Sequence, residues 1–451
     1  METTRRRFMQ MAGVGLGAAA LPVVGAQSAQ ALAPVAARPA PYRVGQWLPS
    51  DQAVLDDWLR DLVKTVDATP KPLHPVMQEL QALIESDATL YMQFHQMFEQ
   101  LPDTRKFQRT PTGLPQVRDY RHMIRLINQV LGTAPAFNRT GLVGFPINAI
   151  LNWPMNTAAG EVAFLNPTLN AQLKKVLDTW ADFLDSPESR YVLSDDPKHG
   201  WFGRDAMEAM PTFASDFICD PTAPHYGFTS WDDFFTREFR PGRRPVVDPN
   251  DDGVIVAACE SAPYRIAHDL KRVDTFWLKG QPYSLRHIFA DDPVNEEFVG
   301  GTLYQAFLSA LSYHRWHSPV SGTVVRTSLI DGSYYAQSPA VGVDPASPND
   351  SQGYIAGTAA RGIVLIEADD PRIGLMAFVS VGMAEVSTNE ITVQPGQHVN
   401  KGDQLGMFHF GGSTHLLIFR PGVSLDFDLH GQQPGLESHN IPLHAKLALV
   451  R

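Results

Sequence analysis

The chain has 451 residues, 44% of them apolar and 19% charged, and a formal charge of −11. These proportions exclude a disordered, collagenous or low-complexity protein. The acidic balance, without a long basic run, argues against nucleic acid as a partner and against docking on anionic lipid. Only two cysteines, Cys219 and Cys259, are present, so neither a disulfide scaffold nor a four-thiolate zinc site is available.

Residues 1–31 read as a leader. Thr4-Arg5-Arg6-Arg7-Phe8-Met9 resembles the twin-arginine export signature, and the weakly apolar stretch from Met11 to Val24 is short for a membrane span. Ala29-Gln30-Ala31 then offers a small-x-small cleavage site. Residues 1–31 carry +2 (Arg5, Arg6 and Arg7 against Glu2), so their loss takes the mature chain from −11 to −13. The expected destination is the bacterial periplasm or the exterior, where Cys219 and Cys259 are free to pair.

Residues 32–49 read as a linker rich in Pro and Ala. From Ser50, a plausible helix cap, the period becomes helical. Leu55, Trp58, Leu59, Leu62, Val63 and Val66 share one face. Further helices are expected around Met77–Ile84, Leu90–Phe98 and Arg121–Leu131, and another along Leu173, Val176, Leu177, Trp180 and Leu184. Such stripes are what core packing requires. The stretch Gly141–Met155 mixes Pro, Asn and apolar residues and is expected to be irregular, either facing substrate or buried as a connection.

After about residue 225 the texture turns β. Short Val- and Ile-rich runs at 253–258, 322–325, 362–366, 375–380 and 415–419 are bounded by Gly, Pro, Asn and Asp. The expected class is α+β: a helical N-terminal domain over 50–225, then a β-rich sandwich or barrel-like domain over 226–451.

The chemistry concentrates near the end. Phe408-His409-Phe410-Gly411-Gly412-Ser413-Thr414 delivers a serine directly after two glycines and before a β run. Glycines permit a strained turn, and a hydroxyl beside a strained carbonyl is poised for an N→O acyl shift. The Ser413 hydroxyl attacks the Gly412 carbonyl to give an ester, and β-elimination leaves a pyruvoyl group in place of Ser413. The step needs a base, most often histidine. Tyr313-His314-Arg315-Trp316-His317-Ser318-Pro319 places two histidines three residues apart.

Four separated segments together resemble the phosphatidylserine decarboxylase family over about residues 226–425. They are Trp231-Asp232-Asp233-Phe234-Phe235-Thr236-Arg237 with Arg240-Pro241-Gly242-Arg243-Arg244-Pro245, then Lys279-Gly280 with Tyr283-Ser284-Leu285, then Tyr313–Pro319, then Phe410–Thr414. The helical region resembles the N-terminal extension of a branch that includes the fungal pyruvoyl-dependent tryptophan decarboxylases.

The resemblance implies self-cleavage between Gly412 and Ser413 into a large β chain and a small α chain blocked by pyruvoyl. It implies His317 as the histidine of the self-processing triad and His314 as its neighbour in decarboxylation. The family's aspartate motif is replaced here by Val256-Ala257-Ala258-Cys259-Glu260-Ser261, which makes Glu260 the expected orienting carboxylate, with Asp251 and Asp252 as fallbacks. The substrate amine would condense with the pyruvoyl carbonyl, which accepts the electrons released with carbon dioxide; no metal is required.

Two rival readings remain at this stage. A lysostaphin-like zinc endopeptidase shares the Gly-rich hairpin but needs a His-x-His pair, and His415 is followed by Leu416 and Leu417. A lipoyl-like carrier module would modify a hairpin lysine, and Lys401 sits in the wrong turn. The expected partner is a free L-amino acid, aromatic and tryptophan-like, because no basic amphipathic helix offers a membrane surface. The alternative is the head group of phosphatidylserine, giving phosphatidylethanolamine. A homo-oligomer stays open.

Overall fold

The computed structural model describes residues 53–101, 116–138, 145–274, 283–308, 311–337, 351–385, 388–410, 413–435 and 437–451. The segments expected as leader and linker, the expected Ser50 cap, Lys279-Gly280 and Gly411-Gly412 lie outside the described residues.

Among the described residues the first seven α-helices are α1 (Ala53–Ala68), α2 (Pro75–Ser86), α3 (Ala88–Glu99), α4 (Tyr120–Val130), α5 (Pro146–Leu151), α6 (Ala158–Phe164) and α7 (Pro167–Leu184). Their starts are written in short polar side chains and prolines. Asp87 accepts from the amides of Thr89 and Leu90 at 2.8 and 3.0 Å, Asp119 accepts from His122 at 2.7 Å, and Asn166 accepts from Thr168 at 2.9 Å with Pro167 next. On α7 the expected stripe of Leu173, Val176, Leu177, Trp180 and Leu184 is buried. The stretch expected to be irregular instead contains α5, started by Pro146, and all six of its residues are buried.

Thirteen strands follow: β1 (Val254–Val256), β2 (Ala262–His268), β3 (Thr302–Leu308), β4 (Arg315–His317), β5 (Gly322–Ile330), β6 (Arg361–Ala368), β7 (Leu375–Gly382), β8 (Thr388–Ile391), β9 (His398–Val399), β10 (Gln404–His409), β11 (Ser413–Phe419), β12 (Leu425–Phe427) and β13 (Lys446–Val450). Among the described residues they form one seven-stranded antiparallel sheet, ordered β2-β3-β11-β7-β6-β5-β9, and two three-stranded sheets, β1-β13-β12 and β4-β10-β8. The class is α+β, as expected; the large sheet is open, with no closed barrel among the described strands.

Both faces of the large sheet are covered, which is why β6 and β7 read as nearly unbroken apolar runs. Leu416, Ile418, Val379 and Leu365 join one apolar core with the helices, including Trp180 and Ile150. Leu417, Phe419, Phe378 and Ile366 join a second core with Trp316, Phe408 and Leu447 of the smaller sheets. Helices and sheet thus share a continuous interior. Cys219 and Cys259 are both free thiols, so the pairing open to them is not made.

Candidate active site

Gly411-Gly412, outside the described residues, lie in sequence between β10 and β11, and β11 pairs with β3 on one side and β7 on the other. Ser413 opens β11, in register with Leu308 on β3 and Gly382 on β7. The residue before the glycines is itself strained: Phe410 has φ of 63°. A bulky side chain in that region costs on the order of 1–3 kcal/mol and persists only where packing enforces it. Here Trp180 of α7 meets the Phe410 ring edge-on at 4.4 Å and Trp231 meets it at 4.8 Å. Trp180 thus brings the helical region into direct contact with the residue that precedes Gly411-Gly412.

β4 pairs with β10 antiparallel, Gln404 opposite His317 and Met407 opposite Arg315, so the two histidines flank the strand that feeds the turn. His314 is fully buried and lies flat on Phe235 at 3.8 Å, and its carbonyl accepts from the Phe408 amide at 2.9 Å. Phe235 in turn approaches Phe410 at 6.2 Å. His314 is thus tied to the turn through one shared aromatic cluster.

His317 has polar neighbours. Its Nδ1 lies 2.8 Å from the Gly402 carbonyl, so Nδ1–H donates there, and Nε2 keeps a lone pair that accepts from the Tyr313 hydroxyl at 3.1 Å. Burial pushes its pKa down to about 4, against a smaller upward pull from the Gly402 carbonyl. The ring is neutral at pH 7, with its lone pair at Nε2 facing the Tyr313 hydroxyl. Tyr313, pushed up by burial, stays a phenol.

Glu260 does not bond to His317. Its carboxylate takes Arg244 in a fork at 2.7 and 3.0 Å, and Oε2 also accepts from the Leu443 amide at 2.7 Å. The bidentate guanidinium and this amide commit the carboxylate to Arg244 and the 443 backbone. Next to Leu443 in sequence, the His444 ring stands edge-on to His317 at 4.8 Å, with Nδ1–H donating to the Arg244 carbonyl at 2.7 Å. A solvent-open crevice of about 1130 Å³ runs past Glu260, Arg244 and Tyr313. Asp251, a fallback carboxylate, caps the Gly253 amide at 3.0 Å.

Two groups at the site escape the motif reading. His409 donates from Nδ1 to Asp232 and from Nε2 to Glu390, both at 2.8 Å. Burial alone would lower its pKa, but the two carboxylates hold the proton and carry it up to about 9. Asp232 and His409 were each in a quoted motif; only the fold shows that they meet. Arg237, 3% exposed, donates to the carbonyls of Phe234, Leu311 and Ser312 and lies 4.5 Å above the Phe217 ring. It fastens the 231–237 segment to the loop before Tyr313.

The rival sites do not assemble. His415 is buried between Phe378 and Tyr304 with neither ring nitrogen hydrogen-bonded, and among the described residues no three potential ligands converge to hold a metal. Lys401 is 4% exposed, its ammonium held by the carbonyls of Asp248 and Asp251, so it presents no hairpin-tip amine.

The geometry defines a class first: a β-rich domain in which a strained Phe410 precedes the two glycines and the serine that opens a strand of the large sheet, with a neutral histidine, His317, held on the strand paired to β10. Family models for phosphatidylserine decarboxylase match residues 74–210 and 231–435. An L-tryptophan decarboxylase of Psilocybe cubensis is 38% identical over 438 residues, covering 92% of this chain and 96% of the relative. A decarboxylase, iboD, of Amanita muscaria is 43% identical over 302 residues, 63% of this chain and 86% of the relative. A phosphatidylserine decarboxylase proenzyme of Chlamydia muridarum is 32% identical over 225 residues, 49% of this chain and 71% of the relative. The chain belongs to the phosphatidylserine decarboxylase family and is a carboxy-lyase.

Proposed function

We propose that the protein is a pyruvoyl-dependent decarboxylase of a free aromatic L-amino acid, tryptophan-like, which makes its own prosthetic group by cutting between Gly412 and Ser413. The observation that carries the substrate class is coverage: similarity to the tryptophan decarboxylase runs through the helical region, whereas similarity to the chlamydial phosphatidylserine decarboxylase covers half the chain. Among the described residues no helix is long and apolar enough to cross a membrane.

The residues at the turn fit the formation of a pyruvoyl group. Strain at Phe410 raises the energy of the intact turn, and the backbone of Ser413 is fixed between two strands. Ser413 supplies the nucleophile, and the bond between Gly412 and the Ser413 nitrogen breaks as the ester forms. His317 receives the hydroxyl proton at Nε2, the atom now hydrogen-bonded by Tyr313. Glu260, through Arg244 and the 443–444 backbone, positions the His444 ring against His317. His314, dry against Phe235, suits proton return to substrate where water must be excluded. The pyruvoyl carbonyl, once formed, supplies the electron sink for carboxylate loss.

Intact-mass measurement tests the cut: a fragment beginning at position 413, lighter than the encoded peptide by the mass of ammonia, supports it, and an unbroken active chain refutes it. Carbon dioxide release from tryptophan against phosphatidylserine tests the substrate; turnover of the phospholipid alone refutes the amino-acid assignment.

We also propose export led by Arg5-Arg6-Arg7, supported by the apolar stretch and the Ala29-Gln30-Ala31 site. The fungal sources of the long relatives weigh against a bacterial route. N-terminal sequencing decides: a start at Leu32 in exported protein supports the leader, and a retained Met1 overturns it.

A further inference from the structure

β7 leads from Gly382, the register partner of Ser413, into Met383 and Ala384, and these two residues form one wall of a crevice between the sheet and the helices. The crevice is partly open to solvent, and in the uncut chain its walls leave room for about one water between them. Ala384 holds φ of 54°, a left-handed conformation that a β-carbon disfavours. Strain of this kind gathers at working sites.

The polar groups around this crevice set it apart from ordinary core. Asn148, Tyr335 and Gln337 line it, and Glu385 adjoins it, accepting from the Asn148 amide at 2.7 Å through one oxygen. All four are at most 4% exposed. Yet five of their atoms (Asn148 Nδ2, Tyr335 OH, Gln337 Oε1 and Nε2, and Glu385 Oε2) have no hydrogen-bond partner. Buried polar atoms are nearly always satisfied, so several orphans at one crevice call for a ligand or ordered water. No lysine or arginine is among the crevice's described lining residues. A phosphodiester taken from water would need such a cation; a neutral ring would not.

We infer that Asn148, Tyr335, Gln337 and Glu385 form the subsite that receives the uncharged, hydrogen-bonding side chain of the amino-acid substrate, with an indole N–H as the group its acceptor oxygens fit. The inference rests on the amino-acid decarboxylase reading above. It gives the helical region a second task besides bracing Phe410, because Asn148 belongs to α5. Burial also raises the Glu385 carboxyl to about 8, against the opposing pull of backbone amides at 147, 148 and 385, so at neutral pH it is mostly uncharged and compatible with a neutral guest.

The test uses the self-cleaved enzyme with tryptophan and phenylalanine, which differ in the side-chain N–H. Tyr335→Phe and Gln337→Leu remove only orphaned atoms, so both variants should fold and cut fully at 413. Each is expected to lower kcat/KM for tryptophan tenfold or more, chiefly through KM, and to change that for phenylalanine less than threefold. Equal losses for both amino acids, or no loss for tryptophan, overturn the subsite. Failure of the underlying reading shows separately, in wild-type protein that lacks the 413 fragment or releases no carbon dioxide from either amino acid.

Discussion

His314 and His317 stand three residues apart at one short strand, yet they live in different surroundings. His314 is sealed under Phe235, in an aromatic cluster that continues to Phe410, Trp231 and Trp180. His317 is held by a carbonyl and a phenol beside the Glu260–Arg244 pair, where the crevice past Tyr313 admits solvent. The contrast teaches that a repeated residue type in one motif need not carry one role. The dry side is built to hold a turn under strain; the wet side fixes a lone pair on a known nitrogen.

The strongest way to break this division is at Ser413, the nucleophile of the proposed cut. Ser413→Ala should abolish the cut and all carbon dioxide release, leaving one full-length species by mass spectrometry; a cut at the same bond would remove both histidines from the chemistry. On the dry side, Phe410→Ala keeps the positive φ but empties the cage formed by Trp180 and Trp231. The expected cost is about 3–5 kcal/mol of unfolding free energy, read by urea denaturation of the uncut Ser413→Ala background. A loss near zero would mean that the cage does not enforce the turn.

Much of this layout was legible beforehand, and the limits follow from range. The α7 stripe could be read because helical periodicity is local, and so could the serine turn, because its glycines adjoin it in sequence. Helix in place of the irregular 141–155 expectation arose where Pro146 starts α5 inside a stretch whose burial on every side erases periodicity. Glu260 was expected at His317 because spacing along a chain says nothing about a competing Arg244 sixteen residues earlier. The pairing of Asp232 with His409, 177 residues apart, and the orphaned set at Asn148, Tyr335, Gln337 and Glu385 needed the fold to bring them together.

His409 sharpens the comparison from β10, where a cation sits one residue from the strained Phe410. Its pKa is held up to about 9, against about 6.5 for a free histidine. A raised pKa contributes stability that is fully present below about pH 6.5 and is lost as pH rises through 9. His409→Gln should therefore cost about 1–3 kcal/mol at pH 6 and close to nothing at pH 10, by denaturation at the two pH values. An equal cost at both would assign the effect to packing instead of charge.

The smallest expected effect lies on the wet side. Tyr313→Phe removes the hydroxyl that donates to His317 Nε2 and leaves the ring in place. One neutral hydrogen bond contributes about 0.5–1.5 kcal/mol, so the cutting rate should change by about two- to tenfold. The direction separates two jobs for the phenol. If Tyr313 only occupies the lone pair until the serine hydroxyl replaces it, the variant cuts faster, because a competitor for Nε2 is gone. If the phenol holds the ring in the orientation that receives the proton, the variant cuts more slowly, and Tyr313→Gln, which can still donate, recovers part of the rate. Since Nδ1–H is fixed independently by the Gly402 carbonyl, the ring keeps its tautomer and most of its orientation without Tyr313, and the faster rate is the expected outcome.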